Sequence, residues 1–204
     1  MGFTRFVHRL YQYYQIATSF LYFALLARWI ILFPLVGKRF LPGGIHEFLI
    51  FLMFFSSIIE ILWLLKFRGI KGTVINRTFL KDLNFVYFVG VMHFYDDYEH
   101  ALVLKNIAYS VFVISLSFDQ CYSHLTKLFK RKSGEQKRSL WWKLDTFLAI
   151  PILYLSEFYL LLLNIQNPNF HATPLLNQIN NIVLVLYLPI AITLYRQHLK
   201  SSLN

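Results

Sequence analysis

Charged residues are scarce in this chain of 204 residues: they make up 15% of it, whereas a soluble domain carries about 25%. Hydrophobic residues account for 57% and aromatic residues for 19%, and the mean hydropathy is +0.50. A soluble domain of this length has no core large enough for so much apolar surface. The composition therefore excludes an ordinary soluble protein and predicts a polytopic membrane protein.

Several features of other protein classes are also missing. The single cysteine, Cys121, excludes an internal disulfide. The chain contains no internal repeat, glycine-rich phosphate loop, His-Glu-x-x-His helix or nucleophile elbow. We therefore expect no cofactor and no bound metal.

Acidic residues are half as frequent as basic ones, 10 against 20, which gives a formal net charge of +10. The cations lie in short segments between apolar stretches, a pattern typical of cytoplasmic loops and not of a nucleic-acid-binding surface. The longest polar run, residues 127–138, holds six cations and one acid. It is flanked by stretches long enough to cross a bilayer. We therefore place it in the cytoplasm and expect membrane lipids, not nucleic acid, as surroundings.

The predicted fold is all-α: a single transmembrane domain over residues 1–204, with about six spans and both termini cytoplasmic. The predicted spans are residues 16–36, 45–65, 83–99, 101–125, 142–165 and 177–195. Residues 38–44 are predicted to form the turn between the first two spans, because Pro42-Gly43-Gly44 breaks a helix. Pro151 is predicted to kink the fifth span.

The third span is short, since its apolar part covers only residues 83–94 and a perpendicular helix needs about 20 residues. It either crosses or is re-entrant. If it crosses, 16 of the 20 lysines and arginines lie on one side and two on the other; if it does not, the split is 7 against 11. The positive-inside bias favours six crossings. Asn76 begins a glycosylation pattern that needs a lumenal loop, but the five cations of residues 66–82 outweigh it, and we expect Asn76 to be unmodified.

Ionisable residues inside spans are costly and are therefore functional candidates. Arg28 and Glu157 lie about 18 and 20 Å from the cytoplasmic ends of their spans, at about 1.5 Å per residue. They are at one depth, so we predict an intramembrane ion pair that fixes helix register. The alternatives for Arg28 are a contact with a substrate or partner, or snorkelling toward the headgroups.

Two further acids, Glu60 and Asp119, lie about two turns above the cytoplasmic face. A shared proton between them would suit acid–base catalysis. The alternative is that each faces a hydroxyl, an amide or water within the bundle. Tyr154 and Glu157 fall on one helix face, as the tyrosine and carboxylate of an intramembrane dehydratase would.

The only acidic cluster, HFYDDYEH at residues 93–100, falls on the lumenal side of the six-span arrangement. We predict that Asp96, Asp97, Glu99 and His100 form a docking surface for a lumenal partner. A solvated helix end with tyrosines at the membrane interface is the alternative. A metal site is the third interpretation, with His93, His100 and either Asp96 or Asp97 as ligands.

Three segments resemble the KEG family of small fungal membrane proteins of the endoplasmic reticulum, which are needed for cell-wall β-1,6-glucan. They are RLYQYYQ at residues 9–15, FLPGGIHEF at residues 40–48 and HFYDDYEH at residues 93–100. The resemblance implies a non-catalytic subunit that binds and supports a type II membrane protein with a lumenal glycoside-hydrolase-like domain. It supplies no catalytic residues.

The predicted architecture is compatible with that role, because its short lumenal loops cannot enclose a sugar. The competing hypothesis is an intramembrane lipid enzyme, either a 3-hydroxyacyl-CoA dehydratase or a sterol-isomerase-like protein. Against this hypothesis, the sequence shows no evident constellation of tyrosine, arginine and glutamate beside the cytoplasmic mouth. A small transporter is a third hypothesis.

Overall fold

The computed structural model describes residues 2–74, 76–94, 103–129, 139–166 and 174–203. Every regular element within these ranges is helical, so the all-helical fold class is confirmed. The helices are α1 (Gly2–Val74), α2 (Arg77–Phe94), α3 (Ile107–Phe129), α4 (Leu140–Leu144), α5 (Ile150–Gln166) and α6 (Pro174–Leu203). A π-helical turn, Asp145–Ala149, joins α4 to α5.

Helix α1 folds back on itself at Gly37, whose φ of 71° and ψ of 177° are not helical. Such a backbone conformation is open essentially to glycine alone. The two arms, residues 2–36 and 38–68, run antiparallel: Gln15 contacts Glu60, and Arg28 lies over Phe48. The reversal therefore lies at Gly37, and residues 38–44, predicted as the turn, are helical.

Helices α2 and α3 also pack antiparallel. Lys81 contacts Gln120 near one end of the pair, and the rings of Phe88 and Phe112 lie 4.5 Å apart nearer the other. The segment that was short by hydropathy is thus one helix of 18 residues, about 27 Å long at 1.5 Å per residue. That length is close to the thickness of the hydrocarbon core.

The fifth predicted span is continuous from Leu140 to Gln166. Its π-helical turn ends two residues before Pro151. Proline has no amide hydrogen and its ring collides with the carbonyl of the residue four positions earlier, so the helix must widen or bend at this point. The irregularity expected from Pro151 therefore takes the form of this π turn.

The core lies where the second arm of α1 meets α2, α3 and α5. It is built from large side chains such as Met53, Phe88, Phe112, Leu116 and Leu160, each at most 1% exposed. Helix α6 packs beside α5 and leaves most of its apolar side chains on the outside, including Ile182, Val185 and Ile190. It is the most peripheral of the long apolar helices.

Four helices are long and apolar enough to cross a membrane: Arg5–Leu35, Gly43–Val74, Leu140–Gln166 and Asn177–Lys200. Their outer faces carry large exposed apolar side chains such as Phe20, Phe23, Leu35, Phe51 and Val185. A soluble protein rarely exposes so much contiguous apolar surface. The chain is therefore a helical membrane protein, and α2 and α3 lie between its long helices.

One end of the bundle gathers the helix ends that were predicted to be cytoplasmic. Lys127, near the end of α3, contacts Glu60 in the second arm of α1. Arg77, at the start of α2, contacts His198 near the end of α6. We call this end the basic end. The packing of the described helices brings together the ends that the charge distribution assigned to one side.

Candidate functional site

A buried polar cluster joins the two arms of α1 to α3 at the basic end. The carboxylate of Glu60 pairs with the Lys127 ammonium at 2.6 Å and accepts a hydrogen bond from the Gln15 amide at 3.4 Å. The carbonyl oxygen of Gln15 in turn accepts a hydrogen bond from Nδ1 of His124 at 2.5 Å. Glu60 is 5% exposed and His124 3% exposed. Since its members bond to one another, the cluster fixes the register of three helices.

A second cluster forms around Glu157, which is fully buried on α5. Oε1 of Glu157 accepts a hydrogen bond from the Asn84 amide of α2 at 2.6 Å. Oε2 accepts one from the Tyr187 hydroxyl of α6 at 2.7 Å. A direct bond between α2 and α6, from the Tyr87 hydroxyl to the Asn180 side-chain oxygen, measures 2.6 Å. Glu157 therefore ties three helices together.

Arg28 has no part in the Glu157 cluster. It is exposed on the first arm of α1, and its guanidinium carbon lies 5.9 Å from the ring centroid of Phe48. Among the described residues no carboxylate pairs with Arg28. The structure thus does not bring Arg28 and Glu157 together, and it leaves the arginine on the lipid-facing surface.

Asp119 and Glu60 also bond to different partners. Oδ2 of Asp119 accepts a hydrogen bond from the Gln120 amide at 2.6 Å. The carbonyl oxygen of Gln120 accepts one from the Lys81 ammonium at 3.2 Å. Each acid thus contacts an amide. In the sequence analysis this arrangement was the alternative to a proton shared between the two acids.

Asp119 also lines a cavity of about 340 Å³ at the basic end, between α2, α3, the start of α5 and α6. Helix α2 contributes Arg77, Lys81 and Phe85, spaced four residues apart along one face. The opposite walls contribute polar and apolar groups: Asp119, Tyr122, Ser123, Thr126, Lys127, Trp142, Asp145, Ile150, Leu153, Tyr154, Leu194 and His198. The cavity is therefore amphipathic.

Two polar atoms at this cavity are buried and have no hydrogen-bond partner among the described residues. They are Oδ1 of Asp145, in the π turn, and Nε2 of His198. Nδ1 of His198 accepts a hydrogen bond from the Arg77 guanidinium at 2.9 Å, so Nε2 carries the proton. A buried acceptor and a buried donor that both lack partners among the described residues are costly.

Sequence reasoning missed this constellation. Arg77 and Lys81 fell in a predicted loop, and Asp145 fell within the predicted span 142–165 but was not among the candidate residues. Tyr154 and Arg77 nevertheless line one cavity, with Asp119 and Asp145 as its carboxylates and no glutamate among the described residues that line it. The spacing of Arg77 and Lys81, four residues apart, was the available signal.

The predicted docking residues Asp96, Asp97, Glu99 and His100 lie outside the described residues, so their role stays a prediction. The described ranges contain no group of three or more histidine, cysteine, aspartate or glutamate side chains arranged to hold a metal. Asn76 uses its side-chain oxygen to accept the backbone N–H of Thr78 at 3.2 Å, at the start of α2.

Fold and polar contacts define the class: a helical membrane protein whose buried acids are held by partners from neighbouring helices. The chain belongs to the KEG family, as its three resembling segments predicted. It is 66% identical over 190 residues to the β-1,6-glucan synthesis-associated protein KEG1 of Saccharomyces cerevisiae, an alignment that covers 93% of this chain and 94% of the relative. No family model matches the chain, and no solved structure matches it.

Proposed function

We propose that this protein is a non-catalytic subunit of the endoplasmic reticulum membrane that serves β-1,6-glucan synthesis and cell-wall biogenesis. In this proposal it binds and supports a type II membrane protein with a lumenal glycoside-hydrolase-like domain. The observation that carries the proposal is the 66% identity, over 93% of the chain, to a protein named as associated with that synthesis. The protein would act as a scaffold within the bilayer.

The exposed Arg28 is the contact that we assign to the partner's single span. A charged side chain that faces lipid well inside a span is costly, and such residues pair or face polar groups in membrane proteins. The Phe48 ring below the guanidinium offers a weak cation–π contact but no counter-charge. A carboxylate or carbonyl of a docked helix would supply the missing acceptors.

The surroundings of Arg28 suit a docked helix. Ile31, one turn away, is 59% exposed, and Leu35 is 75% exposed. Apolar packing between helices gains little over lipid, so a polar anchor within an apolar face is what makes association specific. The acidic cluster of Asp96, Asp97, Glu99 and His100 is the proposed second contact, with the partner's lumenal domain.

Site-specific photo-crosslinking tests this assignment. A photoreactive residue in place of Ile31 should capture the type II glucan-synthesis protein in native membranes. The same residue in place of Leu186, which is 50% exposed on α6, should capture much less. Equal capture at both positions would show that the partner does not dock beside Arg28.

One observation favours an intramembrane lipid enzyme as the second candidate: Tyr154, Asp119 and Asp145 line one cavity together with three cations. If these groups catalysed a reaction, Tyr154→Phe would abolish turnover while the protein stayed folded and kept its partner. For a scaffold, Tyr154→Phe leaves glucan synthesis intact. Assay of cell-wall β-1,6-glucan in cells carrying this variant separates the two functions.

A further inference from the structure

The cavity at the basic end has the composition of a headgroup site and not of a bundle interior. Two cations, Arg77 and Lys81, and two carboxylates, Asp119 and Asp145, face one space of about 340 Å³. Its volume is within the range of small-molecule pockets. Since Lys127 is paired with Glu60 at 2.6 Å, Arg77 and Lys81 are the cations of this cavity that remain to contact a ligand.

Polarity changes with depth along the walls formed by α2 and α6. On α2, Phe85 lies further into the bundle than the two cations, about 12 Å beyond Arg77 and about 6 Å beyond Lys81. On α6, His198 lies one turn nearer the helix end than Leu194. A ligand that filled this cavity would have a charged end near the mouth and an apolar part further in.

The unpartnered atoms indicate what the charged end carries. Asp145 is 5% exposed, and its Oδ1 is a buried acceptor that lacks a donor among the described residues. Nε2–H of His198 is a buried donor that lacks an acceptor there. A phosphate would supply acceptor oxygens to His198, Arg77 and Lys81, and a primary ammonium would supply donors to Asp145.

We propose that this cavity binds a phospholipid with a zwitterionic, ethanolamine-type headgroup. The phosphate lies against Arg77, Lys81 and His198. The ammonium lies against Asp145 and Asp119, and an acyl chain follows the apolar wall at Phe85 and Leu194. This site is separate from the partner surface at Arg28, so it does not depend on the proposed scaffold function.

Native mass spectrometry of the full-length protein in detergent, with phosphatidylethanolamine or phosphatidylcholine added, tests the site. The wild type should bind one molecule of phosphatidylethanolamine more tightly than any further lipid molecules that attach to the protein. Arg77→Gln/Lys81→Gln should lower its affinity roughly tenfold or more, because two charge-assisted contacts are lost. The matched control, Arg68→Gln/Lys71→Gln, removes two exposed cations outside the cavity and should leave the affinity unchanged. Equal losses in both double variants would overturn the proposal.

Two further variants decide the question if the cavity double variant fails to fold. Asp145→Asn should reduce the preference for phosphatidylethanolamine over phosphatidylcholine, because the quaternary ammonium of choline donates no hydrogen bond. Leu194→Trp should lower the affinity by filling the apolar part and leaving every charge in place. An unchanged lipid preference in Asp145→Asn, or an unchanged affinity in Leu194→Trp, would contradict the proposed lipid site.

Soluble competitors distinguish a lipid site from a site for free phosphate esters. Phosphoethanolamine or inorganic phosphate, added in excess, should not displace the lipid, because neither reaches the apolar wall. Full displacement by either compound would overturn the lipid assignment.

Discussion

Glu157 is fully buried, and each of its carboxylate oxygens accepts a hydrogen bond from a different helix. A buried charged group requires such partners, because burial removes the water that would otherwise solvate it. The bonds from Asn84 and Tyr187 therefore make Glu157 a structural link. At the scale of single residues, the environment of Glu157 favours a structural role over a catalytic one.

Tyr187→Phe tests this structural role. Removing the hydroxyl leaves one carboxylate oxygen of Glu157 without its donor, which should lower the free energy of unfolding by about 1–2 kcal/mol. Thermal unfolding of the purified protein in detergent measures the loss. Tyr159→Phe is the control: Tyr159 is 43% exposed on α5, the helix that carries Glu157, so the melting temperature of this variant should stay that of the wild type.

Lys127→Met tests the Glu60 cluster. The change leaves a buried carboxylate without its counter-charge, which should cost about 3 kcal/mol. Adding Glu60→Gln should recover much of that loss, since the uncompensated charge disappears. If the double variant is no more stable than the single one in thermal unfolding, the pair does not contribute in this way.

The sequence identified three of the buried acids but not their partners. Glu60, Asp119 and Glu157 stand out because a charge inside an apolar stretch is costly. Asn84 and Gln15 do not stand out, because a single amide at the edge of a span is common and its partner depends on helix rotation. The predicted Arg28–Glu157 pair rested on equal depth alone, and depth does not specify which face of a helix a residue occupies.

At the scale of elements, Gly37 determines how the first two helices pack. Its positive φ reverses the chain between residues 36 and 38 and sets the two arms of α1 against each other. The sequence pointed to Pro42-Gly43-Gly44, because these residue types usually end helices. A proline near the start of a helix costs little, however, and the backbone conformation that reverses the chain is found at Gly37.

Gly37→Ala should destabilise the protein by about 1–3 kcal/mol, since alanine rarely adopts this conformation. No atom lies within 4 Å of a side chain added there, so the loss would be conformational and not steric. Gly90→Ala is the matched control. Gly90 also has open space around it but lies inside α2, where alanine should be neutral or stabilising by up to about 1 kcal/mol. Unfolding midpoints that shift equally would contradict this account of the turn.

The boundaries of the helices explain why the cavity was not predicted. Helices α2 and α6 extend beyond their apolar stretches, so residues assigned to loops, such as Arg77 and Lys81, lie on helix faces directed into the bundle. Hydropathy locates the membrane core but not the helix ends, where backbone hydrogen bonding continues into polar sequence. The walls of a site at the mouth of a bundle are therefore the part that a hydropathy profile misses.

At the scale of the whole molecule, the basic end predicts which side of the membrane each loop occupies. The contacts at Lys127 and Arg77 gather helix ends from the two halves of the chain at this end. Combined with the positive-inside bias, this arrangement predicts six crossings and cytoplasmic termini. It also predicts that the Asp96–Asp97 cluster faces the lumen, where a glycoside-hydrolase-like domain would be within reach.

Cysteine labelling in sealed microsomes tests that topology. In a Cys121→Ser background, a cysteine at Lys71 should react with a membrane-impermeant maleimide without permeabilisation. A cysteine at Asp97 should react only after the membrane is opened. Labelling of both positions in sealed vesicles would show that residues 83–99 do not cross.

The most direct test of the central claim is co-purification of the type II glucan-synthesis protein from native membranes with the wild type and two variants of Arg28. The account predicts that Arg28→Leu reduces recovery of the partner several-fold, and that Arg28→Lys, which keeps the positive charge, retains most of it. Undiminished recovery with Arg28→Leu, from protein that is normally folded and correctly inserted, would contradict the account.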